Sequence, residues 1–378
     1  MTCFEEMRTI VVSAVNIRKG GTLTILRKCL EYLSGLAQSG DYRIVALVHR
    51  KDLAEYPGIE YIEMPDIIKS WGRRLWCEYV TMYRISKSLA PVYLWFSLHD
   101  TTPRVIAERQ AVYCQTSFPF LKWRLRDLQF DYKIVLFALF TRFAYRWNIK
   151  RNNYLVVQAE WLRKGFSKMF GLPEGKFIVA PPRQQTINAM QEKDGNERRN
   201  RNGVYTFLFA ATPDCHKNFE IVCRASQLLE KEVGSDKFNV IFTIDGTENK
   251  YSHWLYKKWG YISSLKFKGL MDRTSLFDCY NQVDCLVFPS RIETWGLPIS
   301  EFAAFNKPML LADLPYAHET AMGSKRTAFF DVQNAEELKN QMKRLVLGDE
   351  TLLKTVSMRE MANPVVYTWE DLFDNLLN

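Results

Sequence analysis

The chain has 378 residues, of which 47% are hydrophobic and 25% charged, with a net charge of +9 and a pI near 9.0. This length is enough for two globular domains, and the composition excludes a disordered chain. The longest membrane-like run, residues 134–140, is far too short to span a bilayer. The excess positive charge is compatible with an anionic partner such as a nucleotide or a membrane surface.

The eight cysteines form no Cys-x-x-Cys pair and show no paired spacing with histidine. Most of them fall in apolar stretches, which favours reduced, buried thiols over a disulfide or zinc framework. The N-terminal residues also lack the pattern of a signal peptide. We therefore expect a cytoplasmic protein.

Strands and helices alternate along the first half of the chain. The apolar runs that predict strands are residues 9–15, 42–48, 59–62, 91–96, 111–115 and 153–158. The stretches with helical periodicity are residues 23–36, 75–89 and 160–170. This alternation predicts a parallel, doubly wound sheet.

Residues 181–203 interrupt the pattern, because they are polar and show no apolar periodicity, and we interpret them as a linker. A second alternation follows. Its predicted strands are residues 205–210, 239–244, 265–267, 284–288 and 309–311, and its predicted helices are 218–232, 274–281 and 335–347. The sequence thus predicts two α/β domains of similar architecture.

The most informative stretch follows the predicted strand 284–288. Glu293 lies on the loop above that strand, and Glu301 lies roughly two turns further on, in the helix that begins near Pro298. Proline is favoured in the first turn of a helix, where the free N–H groups and the helix dipole attract anions. Two carboxylates beside an anion site suggest a ligand that is both phosphorylated and rich in hydroxyls, such as a nucleotide sugar.

The pattern Pro-Ser-x-x-Glu-x-x-Gly-Leu-Pro-x-x-Glu, from Pro289 to Glu301, is followed by Lys307-Pro308 and Ala312-Asp313. It resembles the donor-site signature of retaining GT-B glycosyltransferases, more narrowly the family-four (group 1) type. The resemblance implies two Rossmann-like doubly wound domains facing across a cleft, with a C-terminal helix that crosses back to the N-terminal domain. We expect an acceptor-binding domain at 1–180, joined by the tail 363–378, and a nucleotide-sugar-binding domain at 181–362.

The resemblance also implies transfer of a sugar from a UDP- or GDP-sugar to an acceptor hydroxyl, with retention of anomeric configuration and without a cofactor. No Asp-x-Asp motif occurs, which agrees with metal independence. In this family the second glutamate, here Glu301, binds the ribose hydroxyls, and the first, Glu293, contacts the donor sugar. The backbone N–H groups of Gly296 and Leu297 would contact the sugar and the diphosphate. We expect no protein general base, because the departing phosphate serves as the base.

Lys217 matches the family lysine that binds the diphosphate of the donor. The family places an arginine five residues earlier, and this chain has Thr212 there. Arg183 and Arg291 are candidates to replace that cation. Neutralising a leaving diphosphate requires cationic or N–H donors, so the departure at Thr212 leaves open whether one such donor is missing.

Further site residues are carried over by position. Gly20 and Gly21 form the loop after the first strand, where they either approach a phosphate or make a tight turn. His99 ends a strand and either contacts the donor sugar or forms a structural hydrogen bond with neighbours such as Asp100. Gly246 would lie near the nucleotide. The family's backbone meets the base at the positions of Leu270 and Met271.

Residues 120–151 contain eight Lys or Arg against two Asp, interleaved with aromatic side chains. One interpretation is docking on an anionic membrane surface, on the inner face of a bacterial cytoplasmic membrane, beside a lipid-linked or growing surface glycan. The other is a core helix with solvated cations. Nucleic acid is not expected, because no recognition motif accompanies the pattern.

Two rival functions remain open. A sugar-nucleotide epimerase shares the GT-B architecture, as does a phosphorylase, although no pyridoxal-binding signature is present. The other rival is a catalytically silent, membrane-associated subunit that binds nucleotide or glycan, which Thr212 in place of arginine keeps open.

Overall fold

The computed structural model of the protein describes residues 7–67, 70–182 and 203–378. The chain divides into two compact units. The first unit comprises Met1–Thr116, Phe140–Pro182 and Met361–Asn378, and the second comprises Ser117–Leu139 and Arg183–Glu360. Most of the predicted linker, including Arg183, lies outside the described residues.

The structural units differ from the predicted domains mainly in one segment. Residues 117–139 belong to the predicted N-terminal domain, whereas the structure groups them with the second unit. The tail Met361–Asn378 groups with the first unit. The division of labour between an acceptor-binding and a donor-binding domain stays a prediction.

The described part of the first unit is built on a seven-stranded parallel sheet. Its strands are β1 (Arg8–Ala14), β2 (Tyr42–Val48), β3 (Ile59–Glu63), β4 (Leu94–Ser97), β5 (Arg109–Cys114), β6 (Tyr154–Val157) and β7 (Phe177–Val179). They lie in the order β3-β2-β1-β4-β5-β6-β7. Apolar, often β-branched residues dominate the central strands, as in parallel sheets that are covered on both faces.

Helices in the first half of the chain are α1 (Gly20–Gln38), α2 (Trp71–Trp76), α3 (Met82–Ser88), α4 (Leu125–Arg146) and α5 (Glu160–Phe170). A π-helical turn, Cys77–Thr81, joins α2 to α3. The backbone of α4 departs from helical geometry at Asp131, with φ −149° and ψ 87°. α5 ends at Gly171, whose left-handed conformation (φ +63°) closes the helix.

The described part of the second unit contains a six-stranded parallel sheet. Its strands are β8 (Tyr205–Phe209), β9 (Phe238–Phe242), β10 (Leu265–Phe267), β11 (Cys285–Phe288), β12 (Met309–Ala312) and β13 (Thr327–Phe330), in the order β10-β9-β8-β11-β12-β13. Its helices are α6 (Phe219–Val233), α7 (Lys250–Trp259), α8 (Arg273–Gln282), α9 (Leu297–Ala303), α10 (Pro315–Thr320) and α11 (Ala335–Val346).

The predicted α/β alternation in both halves is confirmed. The predicted strands 42–48 and 265–267 and the predicted helix 160–170 have the observed bounds. β7, β13, α7 and α10 were not predicted from the sequence. The two strands and α10 span only three to six residues, too few to establish a period. Among the described residues, no helix combines the length and the apolar character that a bilayer crossing requires.

Each sheet has one point at which the strand order reverses. In the first sheet it lies between β1 and β4, and in the second it lies between β8 and β11. In open α/β sheets the crevice for a ligand forms at this point, beyond the carboxyl ends of the two strands. The loops after β8 and β11, and those after β1 and β4, are therefore the places to look for function.

The last helix, α12 (Trp369–Leu377), packs into the core of the first unit. The Phe373 ring is fully buried and lies 5.4 Å from the Tyr32 ring and 5.7 Å from the Phe96 ring, between centroids. The Tyr93 hydroxyl donates to the carbonyl oxygen of Leu377 at 2.6 Å. The tail thus completes the core of the N-terminal unit, as the resemblance implied.

We predict that Phe373→Ala lowers the free energy of unfolding of the first unit by about 3–5 kcal/mol, because it empties a fully buried aromatic site. Asp374→Ala, on the exposed side of the same helix, should change it by less than about 0.5 kcal/mol. Urea denaturation of the two variants measures the difference. Equal midpoints would show that α12 is not part of the core.

Candidate functional site

The two loops at the reversal of the second sheet bring a predicted pair of residues together. Lys217 ends the turn Cys215–Lys217 after β8, and Glu293 lies on the loop after β11. The Lys217 Nζ atom is 2.6 Å from Glu293 Oε1, although 76 residues separate them in sequence. Both side chains are mostly buried, at 15% and 14% exposure. The arrangement places an ammonium and a carboxylate side by side at the expected ligand crevice.

Asn218, the residue after Lys217, forms hydrogen bonds that connect the loop of Lys217 to the loop of Glu293. It adopts a left-handed conformation (φ +63°) at the start of α6, which asparagine tolerates better than most residues. Its side-chain amide donates to the carbonyl oxygens of Pro289 at 3.3 Å and Val332 at 3.0 Å. The residue after Lys217 is thereby bonded to the start of the loop that carries Glu293.

Gly296 forms the turn into α9, as the sequence predicted. Its φ is +93°, and an added Cβ would lie 3.3 Å from Ile299 Cδ1 and 3.5 Å from the Tyr316 ring. The Tyr316 hydroxyl donates to the Ser290 carbonyl oxygen at 2.7 Å, beneath the loop. A residue with a side chain would be strained here. Leu297, the first residue of α9, is about half exposed, so the start of the helix is accessible.

Glu301, on α9, is partly buried and contacts two side chains of α8. The Tyr280 hydroxyl donates to Glu301 Oε2 at 3.2 Å, and the Arg273 guanidinium lies 3.7 Å from Oε1. Burial raises the pKa of Glu301 above its ordinary value. Lys307 holds the end of α8 by donating to the Tyr280 carbonyl oxygen at 2.8 Å. Tyr280 and Arg273 were not predicted as site residues, because only the fold brings α8 beside α9.

Among the described residues, neither Thr212 nor Arg291 supplies a free cation in place of the arginine that the family has at position 212. The exposed Thr212 donates through Oγ1 to Asp214 Oδ2 at 2.7 Å. Arg291 is nearly buried, and its Nη2 donates to Asp127 Oδ1 at 2.8 Å. That guanidinium is therefore neutralised by a carboxylate. Arg183 lies outside the described residues.

The remaining predicted positions of the second unit follow β9 and β10. Gly246 has φ +96°, and an added Cβ would lie 2.6 Å from Tyr256 Cβ, so local packing alone requires glycine here. Leu270 is 82% exposed, and Met271 is partly buried. The ligand roles of these three residues stay predictions. In the described part of the chain, no group of three or more His, Cys, Asp or Glu side chains is placed to hold a metal ion.

In the first unit, His99 follows β4 and is buried among hydrogen-bonding groups. Its Nε2 lies 3.0 Å from Ser13 Oγ, and its Nδ1 lies 3.1 Å from Thr101 Oγ1. The Glu78 carboxylate is 3.9 Å from Nδ1. Burial lowers the pKa of His99 to about 4, so the imidazole is neutral at neutral pH. The structural role that the sequence left open is therefore present, and a ligand role stays a prediction.

Asp100, the next residue, has φ +67°. Its Oδ1 accepts hydrogen bonds from the backbone N–H groups of Gln115 at 2.5 Å and Thr116 at 3.2 Å. Burial nevertheless raises the pKa of Asp100 to about 6.

Gly20 has φ +71° and begins α1, while Gly21 is helical with open space around its Cα. These glycines follow β1, so they and His99 lie on the two loops at the reversal of the first sheet.

The part of the chain that carries Lys217, Glu293 and Glu301 is similar to a known protein family. Residues 190–359 match the model of the glycosyl transferases group 1. The match contains Lys217, Glu293, Gly296 and Glu301. The matched residues make up just under half of the chain and all fall within the second unit.

One curated protein to which this chain is similar is the O-antigen chain mannosyltransferase RfbU of Salmonella typhimurium. It is 22% identical over 182 residues, which make up 48% of this chain and 48% of the relative. The aligned part thus spans about half the length of the curated relative.

Solved structures extend the likeness to nearly the whole chain. The lipopolysaccharide glycosyltransferase WaaG aligns with a TM-score of 0.61 at 16% identity, covering 90% of each chain. Anabaena HepE, solved with UDP-glucose, aligns with a TM-score of 0.57 at 13% identity, covering 91% of this chain and 92% of its own. These likenesses concern the fold, and with the two parallel sheets they confirm the predicted GT-B architecture.

The neighbours His99 and Asp100 make opposite contributions to the pH dependence of stability. The ordinary pKa of His99 is 6.5, and its pKa in the folded state is about 4. Between these two pH values the unfolded state binds a proton at His99 that the folded state does not, so stability rises with pH. Between the ordinary 3.8 and about 6, the folded state keeps a proton at Asp100 that the unfolded state has lost, so stability falls with pH.

We predict that Asp100→Asn makes the free energy of unfolding rise more steeply between about pH 4.5 and 6, because only the His99 contribution then remains. His99→Asn should have the opposite effect on the slope. Denaturant unfolding at several pH values measures both, with the exposed Asp374→Asn as the control. Three slopes parallel to that of the unmodified protein would contradict the assignment.

Proposed function

We propose that this protein is a glycosyltransferase that moves a sugar from a nucleotide-diphosphate sugar to an acceptor hydroxyl. The observation that carries the proposal is the Lys217–Glu293 pair, 2.6 Å apart at the reversal of the second sheet. Gly296 and the start of α9 follow on the same loop. The region lies within the part of the chain that matches the group 1 family.

In the proposed reaction, some groups stabilise the charge of the leaving diphosphate and another orients the donor sugar. As the sugar–oxygen bond breaks, negative charge develops on the leaving diphosphate, and Lys217 with the N–H groups of Gly296 and Leu297 would stabilise it. Glu293 would orient the donor sugar through its hydroxyls. When a diphosphate binds, it competes with Glu293 for the Lys217 ammonium, which frees the carboxylate to accept from hydroxyl groups. Retention and metal independence belong to the same proposal.

Glu301 would bind the nucleotide through the ribose. A carboxylate accepts two hydroxyl donors at once, and Tyr280 and Arg273 already hold this one in place. The relatives suggest which donors to test first. RfbU is a mannosyltransferase, and HepE was solved with UDP-glucose. GDP-mannose and UDP-glucose are therefore the first two probes.

We predict that Lys217→Ala and Glu301→Ala fail in different ways. Lys217→Ala should lower kcat for hydrolysis of the active nucleotide sugar by about 10²- to 10³-fold, because it removes a charge that acts on the leaving group. Glu301→Ala should weaken binding of the free nucleotide by about tenfold or more, because it removes a charged acceptor. Product assays and titration calorimetry measure the two effects, with the exposed Lys231→Ala on α6 as the control.

The outcomes separate the rival functions. Conversion of the nucleotide sugar to its isomer, without release of free nucleotide, would identify an epimerase. Nucleotide binding without any turnover would favour the silent subunit, an alternative that the exposed Thr212 side chain and the paired Arg291 keep relevant. If a panel of UDP-, GDP- and ADP-sugars neither bound nor reacted, the proposal would be wrong.

We further propose that the acceptor is lipid-linked or part of a growing surface glycan, and that the enzyme works at the inner face of a bacterial membrane. A patch in the first unit supports this. The side chains of Leu75, Trp76, Phe140, Phe143 and Trp147 are each more than half exposed. The Tyr79 and Trp147 rings, 6.1 Å apart, connect the helical segment of the first two to the end of α4.

The sequence near these apolar side chains is rich in exposed cations, namely Arg73, Arg142, Arg146, Lys150 and Arg151. The Arg142 guanidinium lies 4.9 Å from the centre of the Phe143 ring. Within residues 140–151 there is no acidic residue. Aromatic side chains among cations match the interface of an anionic bilayer, which we propose as the occupant of this patch.

We predict that the protein sediments with phosphatidylglycerol vesicles. The double variant Phe143→Ser/Trp147→Ser should weaken this binding by about tenfold or more, because two exposed rings that would insert into the bilayer interface are lost. Raising the salt concentration should weaken it as well. Leu347→Ser, an equally exposed apolar position of the second unit, is the matched control. Binding that neither the variant nor salt affects would rule out this patch.

A further inference from the structure

Arg291 joins three stretches of the second unit that are far apart in sequence. It lies two residues before Glu293 and is 9% exposed. Its Nη2 donates to Asp127 Oδ1 at 2.8 Å and to the Cys215 carbonyl oxygen at 3.1 Å. Its Nη1 donates to the Lys122 carbonyl oxygen at 3.3 Å. One guanidinium thus connects its own loop, the loop after β8, and the segment Ser117–Leu139.

A backbone hydrogen bond of Arg291 also connects the loop after β11 to the loop after β8. The N–H of Arg291 donates to the His216 carbonyl oxygen at 2.8 Å. Cys215 and His216 immediately precede Lys217, so the bonds of Arg291 begin within two residues of both Lys217 and Glu293. Any shift of the Arg291 side chain therefore acts on the two loops that present this pair.

Asp127 is the counter-ion that holds Arg291 in place. The side chains of both residues are only 5% exposed. The second oxygen of Asp127 accepts from the backbone N–H of Arg124 at 2.8 Å, so the carboxylate is fixed on both sides. Removing one member of a buried pair leaves the other charge uncompensated, and the planar guanidinium makes several directed bonds that a lysine ammonium would not reproduce.

We propose that Asp127 and Arg291 are positioning residues, which hold the loops after β8 and β11 in the register that sets the Lys217–Glu293 pair. The inference rests on the proposed function for its catalytic consequence. Small displacements of groups that act on a transition state lower the rate far more than they lower ground-state binding. Asp127 thus affects the reaction from a segment that precedes the second sheet by some 80 residues, since β8 begins at Tyr205.

The first test separates turnover from binding. Asp127→Asn keeps the shape and removes the charge, and we expect kcat for nucleotide-sugar hydrolysis to fall about tenfold to a hundredfold. The dissociation constant of the free nucleotide should change less than about threefold, because Glu301 and its partners lie elsewhere. Phe130→Ala is the matched control, since it loosens the same segment where Phe130 contacts Tyr251 and Trp254. It should leave kcat within about threefold.

A double-mutant cycle distinguishes positioning from a general structural role. In a Lys217→Ala background, Asp127→Asn should cost less than about threefold in single-turnover rate, because the group it positions is already gone. Asp127→Glu should restore part of the rate that Asp127→Asn loses. Equal effects of Asp127→Asn in both backgrounds would overturn the proposal.

A second measurement does not depend on activity. Acylation of lysines, followed by mass spectrometry, reports the accessibility of the mostly buried Lys217 ammonium. We expect Asp127→Asn to increase the modification rate of Lys217 several-fold, while the exposed Lys257 is unchanged. If the unmodified protein turns over no nucleotide sugar, the proposed function fails, and the lysine measurement still decides the positioning. An unchanged Lys217 rate would overturn the inference even in an active enzyme.

Discussion

Lys217 and Glu293 are neighbours because β8 and β11 are neighbours, and that adjacency is the constraint on which the site depends. In a parallel sheet wound in two directions, the strand order must reverse once, and the loops beyond the reversal diverge to opposite faces. A ligand that enters the space between them can contact both loops. The second sheet puts an ammonium and a carboxylate there, 2.6 Å apart, and the glycine turn into α9 follows on the same loop.

Buried contacts around this pair hold both loops. Asn218 bonds the start of α6 to Pro289, Tyr316 bonds to the Ser290 carbonyl oxygen, and Arg291 bonds to Cys215 and Asp127. Glu301 has a separate support, through Tyr280 on α8, whose end Lys307 caps. The proposed donor region thus contains two groups, each with its own buried contacts. This separation explains why turnover and nucleotide binding respond to different residues in the proposed mechanism.

The first unit shows the same topology with different electrostatics. Its two loops at the reversal carry Gly20 and Gly21 on one side and His99 with Asp100 on the other. Burial moves the pKa of the histidine to about 4 and that of the aspartate to about 6, so both groups shift toward their neutral forms. The reversal of this sheet therefore offers hydrogen-bonding groups and backbone, whereas that of the second sheet offers charge. A neutral imidazole suits contact with hydroxyl groups more than neutralisation of a phosphate.

Local sequence patterns were enough to predict the alternation of strands and helices, the turn at Gly296 and Pro298, and the candidates Lys217, Glu293 and Glu301. Each of these rests on local physics, namely side-chain periodicity, helix starts and backbone conformation, or on a motif of consecutive residues. The folded chain was needed to show that Tyr280 and Arg273 contact Glu301 and that residues 117–139 join the second unit. It also shows that Asp127 neutralises Arg291 across 164 residues of sequence. No local pattern specifies such partners, because the energy of a buried ion pair depends on which distant elements the sheet topology brings into contact.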